Sequence, residues 1–285
     1  MVTIYLDAGH YDYYNRSPVV PEYWESKMNW SLHLKLKAEL EKYEGITVLT
    51  TRADQKKDLT PVQRGMCAKD GDILLSLHSN AANKESTDFV VIFVPLSDAD
   101  TDIDEKSRAL AKKLAPKITE VMGVTQKDYE IYASRSANDR NGDGILNDNH
   151  YGVLHGARQV NVPALIIEHS FHTNKRSTEW LLVDENLQRL AEEEAKIIAE
   201  HYGCKLKEAA KKKIWRVQVG AYLIKSNATK QQEKLKNTGY SGFITKVGLY
   251  YKVQVGAFEI KNNAINLQNK LKAAGFSTYL VEAYI

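Results

Sequence analysis

The sequence predicts an α/β protein in which a mostly parallel sheet flanked by helices precedes a small ferredoxin-like βαββαβ unit. Three observations predict it. Over most of the chain, short apolar runs alternate with longer amphipathic ones, as strands and covering helices do in α/β domains. A Lys-rich stretch then interrupts the pattern. After it, Trp215-Arg216-Val217-Gln218-Val219-Gly220-Ala221-Tyr222 recurs 36 residues later as Tyr251-Lys252-Val253-Gln254-Val255-Gly256-Ala257-Phe258, too long a match for chance.

In chain order, strands are predicted at residues 2–6, 46–50, 72–77, 88–94 and 164–167, each a compact apolar run. Helices separate them. Residues 25–43 carry apolar side chains at helical spacing, and Thr60-Pro61-Val62-Gln63 sets a capping box with proline at the first helical position. Residues 103–122 and 186–202 are long amphipathic runs that should cover the sheet. This places a first domain at residues 1–203, a charged linker at 204–213 and the repeat domain at 214–285. Within the repeats, Lys234-Leu235-Lys236 with Gly239-Tyr240 recurs as Lys270-Leu271-Lys272 with Gly275-Phe276, so each copy reads strand, helix, strand.

Composition narrows the function classes. The 285 residues are 43% hydrophobic, ordinary for a globular protein, and no apolar run approaches the roughly 20 residues of a membrane span. The chain opens directly on strand-like residues without a basic start and apolar core. Synthesis in the cytoplasm without a signal peptide is therefore expected, with any release through a holin or cell lysis. Cys67 and Cys204 make neither a disulfide framework nor a metal knuckle, and reduced thiols are expected. Residues 205–285 carry 15 Lys and Arg against 4 acids, a charge of +11, which leaves −8 on residues 1–204. A basic module suits a polyanion or an acidic wall polymer, or is simply a solvated lysine face. A βαββαβ unit with aromatics also describes an RNA-recognition module, but the Gly-aromatic-Gly-aromatic signature is absent from residues 250–255. Neither a nucleic acid nor a membrane is the expected partner.

The chemistry-bearing residues fall at strand ends. Asp7-Ala8-Gly9-His10 follows the first strand, Ser76-Leu77-His78-Ser79-Asn80 follows another, and Ile166-Ile167-Glu168 ends a third. The carboxyl edge of a parallel sheet is where such domains present their ligands. Glu25 opens the first long helix and could bring a carboxylate to the same edge. Two histidines and a carboxylate with an open fourth position form the catalytic zinc pattern, since structural sites are closed by four protein ligands.

These motifs resemble the zinc-dependent N-acetylmuramoyl-L-alanine amidases of bacterial autolysins and phage endolysins, over residues 1 to about 203. The resemblance implies that zinc is held by His10, Glu25 and His78. It makes Val162-Pro163-Ala164-Leu165-Ile166-Ile167-Glu168, with Phe171 and Asn174, the motif of the catalytic glutamate. Glu168 is then expected to take a proton from the attacking water and pass it to the departing L-alanine nitrogen. A zinc peptidase cutting within the stem peptide has the same ligand set. The two repeats resemble the sporulation-related repeat, or SPOR, domain over residues 214–285, which implies binding to peptidoglycan glycan strands stripped of their stem peptides. Tyr222, Tyr240, Phe258 and Phe276 are candidates for glycan contact or for the small core.

Two departures from the amidase pattern stand out. The glycine-rich stretch usual after the first histidine is replaced by Tyr11-Asp12-Tyr13-Tyr14-Asn15-Arg16, which leaves Glu22 a rival to Glu25. His169 and His172, on a helix or loop beside the closing motif, are expected to support the site or lie exposed rather than to bind zinc. The second departure is the stretch 139–147, with Asp139, Asn141, Asp143 and Asn147 at positions 1, 3, 5 and 9 of a calcium loop and Gly144 at 6. Position 12 is His150 rather than a bidentate glutamate, and a polar surface turn is the alternative.

Overall fold

The computed structural model describes residues 1–96, 103–125, 129–140, 148–208 and 212–285. The chain forms two compact units, Met1–Leu206 and Lys207–Ile285. In the first, β1 (Val2–Ala8), β2 (Ile46–Thr50), β3 (Ile73–Asn80), β4 (Val90–Phe93), β5 (Tyr129–Tyr132) and β6 (Ala164–Phe171) build one sheet of order β2-β1-β3-β6-β4-β5. All pairs are parallel except β4 with β6. The predicted fold class holds, and β5 was missed because Tyr129-Glu130-Ile131-Tyr132 lies largely exposed at the sheet edge and lacks an apolar run.

Helices cover both faces. On one side α1 (Glu25–Leu40), α3 (Ile103–Met122) and α6 (Asp184–His201) pack Leu32, Leu36, Leu114, Ile118, Leu190 and Ile198 against Ile4, Leu75, Leu77 and Ile167. The other face is smaller. There α2 (Pro61–Met66) and α4 (Gly152–Gln159) cover Leu74, Val91, Ala164 and Ile166, and α5 (Lys175–Leu181) follows β6. A Cβ on Gly65 would stand 2.2 Å from the Val153 carbonyl oxygen and one on Gly156 2.1 Å from that of Val62. Only glycine lets these two helices touch backbone to backbone. The capping box at Thr60 forms as read, its side chain accepting from Gln63 N while Gln63 Oε1 accepts from Thr60 N. Helices α4 and α5 were missed, being one to two turns long and punctuated by glycine or polar residues.

Strand alternation assigns the polar residues. In β3, Leu75 and Leu77 face the large core, so Ser76 and His78 face the other way; in β6, Leu165 and Ile167 face it, so Glu168 joins Ile166 on the opposite side. His78 pairs with Glu168 in the β3–β6 ladder, and the register slips by one residue before Asn80 meets Phe171. Both residues thus lie within their strands, which run beyond the predicted ends. The extra β6 residue is accommodated near Ser170, at φ 60°.

In the second unit β7 (Lys213–Tyr222), α7 (Lys225–Asn237), β8 (Phe243–Val247), β9 (Tyr250–Phe258), α8 (Lys261–Ala273) and β10 (Tyr279–Tyr284) form an antiparallel sheet of order β10-β7-β9-β8 with its own core. The βαββαβ reading is what folds. Phe276 is buried, and Tyr222, Tyr240 and Phe258 pack partly buried against the same core. The segment read as linker begins attached to the first unit, because Glu44 N donates to Lys205 O at 2.8 Å and Tyr43 bridges Leu206. Cys67 and Cys204 form no disulfide. No described helix is long and apolar enough to cross a membrane.

Candidate metal centre

His10, Glu25 and His78 meet at the carboxyl edge of β1 and β3, with one donor atom from each within 4.8 Å of the others. Backbone strain and close packing bring them there. His10 sits just past β1 at φ 61°, a conformation costly for a non-glycine residue and frequent at functional sites. A Cβ on Gly9 would lie 2.2 Å from the His78 ring, so only glycine lets that imidazole reach the strand end. Arg64 pins the same turn from below: it donates to Ala8 O at 2.8 Å and His10 O at 3.0 Å, and pairs with Asp7 at 3.1 Å. Ser76 Oγ also donates to Asp7, at 2.8 Å.

Glu25 enters from the first turn of α1, where the helix dipole favours a carboxylate. Its Oε2 lies 3.1 Å from His10 Nε2 and its Oε1 2.9 Å from His78 Nδ1. Ser79 N donates to Oε1 at 3.1 Å, and Asn15 Nδ2 to Oε2. Burial works against the charge, but hydrogen bonds with His10 and His78 and the attraction of both rings hold the carboxyl well below the usual range. Glu22, the rival, is exposed and outside the cluster.

Glu168 lies beside the cluster with a different environment. It is buried, and its Oε2 has no hydrogen-bond partner. Burial first, and the negative charge of Glu25 second, push its carboxyl well above the ordinary range. The two neighbouring carboxyls are thus pushed in opposite directions, Glu25 towards its ionised form and Glu168 towards its protonated one.

His169 lies within β6 rather than on a helix or loop, His172 lies in the turn just past it, and both are buried, so of the two readings the exposed one is excluded. His169 is the β6 residue facing the large core, fully buried, with Nδ1 donating to His78 O at 3.0 Å and Nε2 2.8 Å from Glu194 on α6. His172, just past β6, donates from Nδ1 to Ser79 O at 2.8 Å and lies 4.0 Å from Glu25 Oε2. Tyr23 OH lies 2.7 Å from Ser79 Oγ. Sequence reasoning quoted Asp7 but gave no role to it, to Arg64 or to Glu194, whose partners lie 57 residues apart for Asp7 and Arg64 and 25 for His169 and Glu194; the buried-charge signal exists in no local window. Asn174 of the closing motif caps α5 by accepting from Ser177 N at 3.0 Å.

Two lobes of a cleft, each about 370 Å³, flank the cluster and share His10, His78, Pro61 and Val153. One is lined by Tyr11, Tyr14, Asp58 and Arg64, the other by Asn15, Asn80, His150, Tyr151, Glu168 and His172. Of the calcium-type stretch, Asn141, Asp143 and Asn147 lie outside the described residues. Asp139 is described, and the flanks of the stretch are joined by Ser136 N donating to Asp148 O at 2.8 Å and by an Arg135–Asn149 bridge.

A His-Glu-His cluster that could hold a metal ion lies beside a buried carboxyl at the edge of an α/β sheet, an arrangement compatible with metal-assisted hydrolysis. Residues 4–200 match the N-acetylmuramoyl-L-alanine amidase family model, and the chain belongs to that family. It hydrolyses an amide of peptidoglycan. The SPOR domain model matches residues 211–282, the second compact unit, and also 185–246. The ends of those two matches differ by 36 residues, the offset of the internal repeat. A SPOR domain is a wall-binding module.

Solved structures agree on the fold. The catalytic domain of CwlV from Bacillus (Paenibacillus) polymyxa var. colistinus is 19% identical, with TM-score 0.56 over 72% of this chain and 100% of that one. An N-acetylmuramoyl-L-alanine amidase from Clostridium difficile 630 is 22% identical, with TM-score 0.57 over 71% and 97%. AmiC2 of Nostoc punctiforme is 17% identical, with TM-score 0.54 over 71% and 97%. A search of curated proteins gives no match.

Proposed function

We propose that His10, Glu25 and His78 hold a zinc ion and that Glu168 moves the protons as the amide between N-acetylmuramic acid and L-alanine is hydrolysed. The observation that carries this reading is the pairing of the three-donor cluster with the unpartnered, buried Oε2 of Glu168. The donor set fits the metal. Two imidazole nitrogens and one carboxylate oxygen are zinc ligands, whereas calcium takes oxygens alone. Donor atoms at bond lengths near 2.0–2.2 Å around a tetrahedral ion stand about 3.3–3.6 Å apart, close to the 3.1 and 2.9 Å that separate Glu25 from the two rings.

Bound there, zinc supplies positive charge that polarises the lactyl carbonyl and acidifies water. The rest belongs to the chain. Glu168 accepts a proton from water as its oxygen adds to the carbonyl carbon, then delivers it to the L-alanine nitrogen as the carbon–nitrogen bond breaks. The products are a lactyl carboxylate on the sugar and a free amino terminus on the peptide. Asn15, Ser79 N and the α1 dipole keep Glu25 ionised and oriented. His169 and His172 hold the backbone of His78 and Ser79 in place.

In the second unit, the +10 charge of residues 207–285, 14 Lys and Arg against 4 acids, and the aromatic-bearing repeats support glycan strands without stem peptides as the wall component bound. Metal analysis and mass analysis of digested peptidoglycan test the reading together. One zinc per chain and peptides beginning at a free L-alanine are expected. A fully active zinc-free protein, or fragments cut within the stem, would overturn it.

A further inference from the structure

The two lobes of the cleft are unlike, and the reaction gives them unlike occupants. Glu168 lines only the lobe with Asn15, Asn80, His150 and His172. If it protonates the departing nitrogen, the peptide leaves on that side. The acyl half of the substrate, the lactyl group with its sugar, must then extend across His10 and His78 into the other lobe.

That other lobe is walled by tyrosines. Tyr14 stacks on His10 with ring centroids 4.7 Å apart and planes 16° apart, and Tyr11 lies nearly parallel to Tyr14 at 6.0 Å. Tyr14 is 50% exposed despite these contacts. Its backbone is held firmly, since Tyr14 N donates to Ser26 Oγ at 3.0 Å and Tyr14 O accepts from Ser26 N at 3.3 Å. The partly exposed carboxylate of Asp58 completes the rim, anchored to Arg64 at 3.3 Å. Rigid aromatic faces beside a hydrogen-bonding carboxylate match the chemistry of a pyranose, which offers carbon-bound hydrogens on its face and hydroxyls at its edge.

Building on the amidase mechanism above, we infer that the Tyr11–Tyr14 lobe is a saccharide subsite: the tyrosine rings pack against the amino-sugar that carries the lactyl group, and Asp58 accepts from a hydroxyl. The catalytic unit therefore reads the glycan by itself, apart from the repeats. Selectivity for the sugar resides in the segment where glycines would leave no aromatic wall.

Three substrates sharing one stem peptide separate the possibilities: a lactyl-peptide with no sugar, a muramyl-peptide and a disaccharide-peptide, each hydrolysed by the full chain. Wild type should gain in kcat/KM when the sugar is added. Tyr14→Ala and Tyr11→Ala should each lose about three- to tenfold of that gain, mostly through KM, and Tyr14→Phe should retain it. Activity on the lactyl-peptide and zinc content should stay near wild type in all variants. An undiminished sugar gain in both alanine variants overturns the subsite, as does an equal loss on all three substrates with lowered zinc, which would mean the tyrosines act only through His10. Wild type that leaves the lactyl amide intact in every substrate removes the amidase mechanism itself, a result distinct from cleavage that ignores the sugar.

Discussion

Glu25 and Glu168 are both buried carboxylates lining the same lobe of the cleft as His10 and His78, and what separates them is partners. Glu25 has two rings, a backbone N–H and an amide; Glu168 Oε2 has none. Replacing Glu168 with Gln should cut turnover by about 10²-fold or more with zinc near one per chain, because general acid–base help is typically worth 10²–10⁴. His78→Ala should lose metal and turnover together, which metal analysis beside a turnover assay distinguishes. Asp7 is a third case. Burial raises its pKa, but the Arg64 guanidinium and the Thr51 and Ser76 hydroxyls outweigh it and hold the group below its ordinary value. Near pH 4 the unfolded chain therefore binds more protons, so this stability is complete above about pH 3.9 and is lost as pH falls through the depressed folded value. Asp7→Asn should cost about 3 kcal/mol near neutrality by leaving buried Arg64 with only the exposed Asp58 as counter-charge, and should flatten the acid limb of a melting-temperature profile. The four residues that crowd the cleft were legible because each sits in a short motif at a strand end or helix start. Asp7 was quoted in such a motif, yet its charge partner lies on another element, and no local pattern pairs them.

At the scale of elements, strand alternation decides what β6 can do. Glu168 and His169 are adjacent, so one faces the cleft and the other the core against α6. A histidine there looks out of place until Glu194 arrives from the helix at 2.8 Å and the His78 carbonyl from the next strand at 3.0 Å. Glu194→Ala is expected to cost about 3–5 kcal/mol, as breaking buried pairs does, measured by denaturant unfolding; a change below about 0.5 kcal/mol would show that the pair does not secure α6 to the sheet. Long elements were legible to within a few residues, α3 among them, because periodicity over 20 residues leaves one reading. Short α4 and α5 were not, since packing through Gly65 and Gly156 rather than apolar periodicity places α4. The calcium-type sequence at residues 139–147 is tested in solution. If calcium binds it, added calcium should raise the melting temperature of wild type and leave Asp143→Ala unmoved; equal responses would make it a turn.

For the whole molecule, the composition shifts near residue 204, close to where the chain divides into two compact units, and the repeat carries the topology of the second. Where one unit stops was less legible, because the charged segment after Gly203 carries no apolar pattern to assign it. Backbone pairing assigns it instead: Lys205 and Leu206 are tied to Glu44 and Tyr43. A truncation should therefore keep residues 1–206, since cutting earlier would strip hydrogen-bond partners from the end of the α1 connection. Each unit has its own buried core, and every residue proposed for chemistry lies in the first, so the shortened chain should hydrolyse soluble muropeptides at near wild-type rates. On intact walls it should bind at least about tenfold more weakly, because losing a tethered second module removes the gain from high effective concentration. The full chain should also release more steeply as salt rises, since residues 207–285, with 14 Lys and Arg against 4 acids, take a charge of +10 with them and −7 remains on residues 1–206. Loss of turnover on soluble fragments would show that the repeats complete the active site, whereas unchanged wall binding at low salt would show that the first unit alone holds the wall.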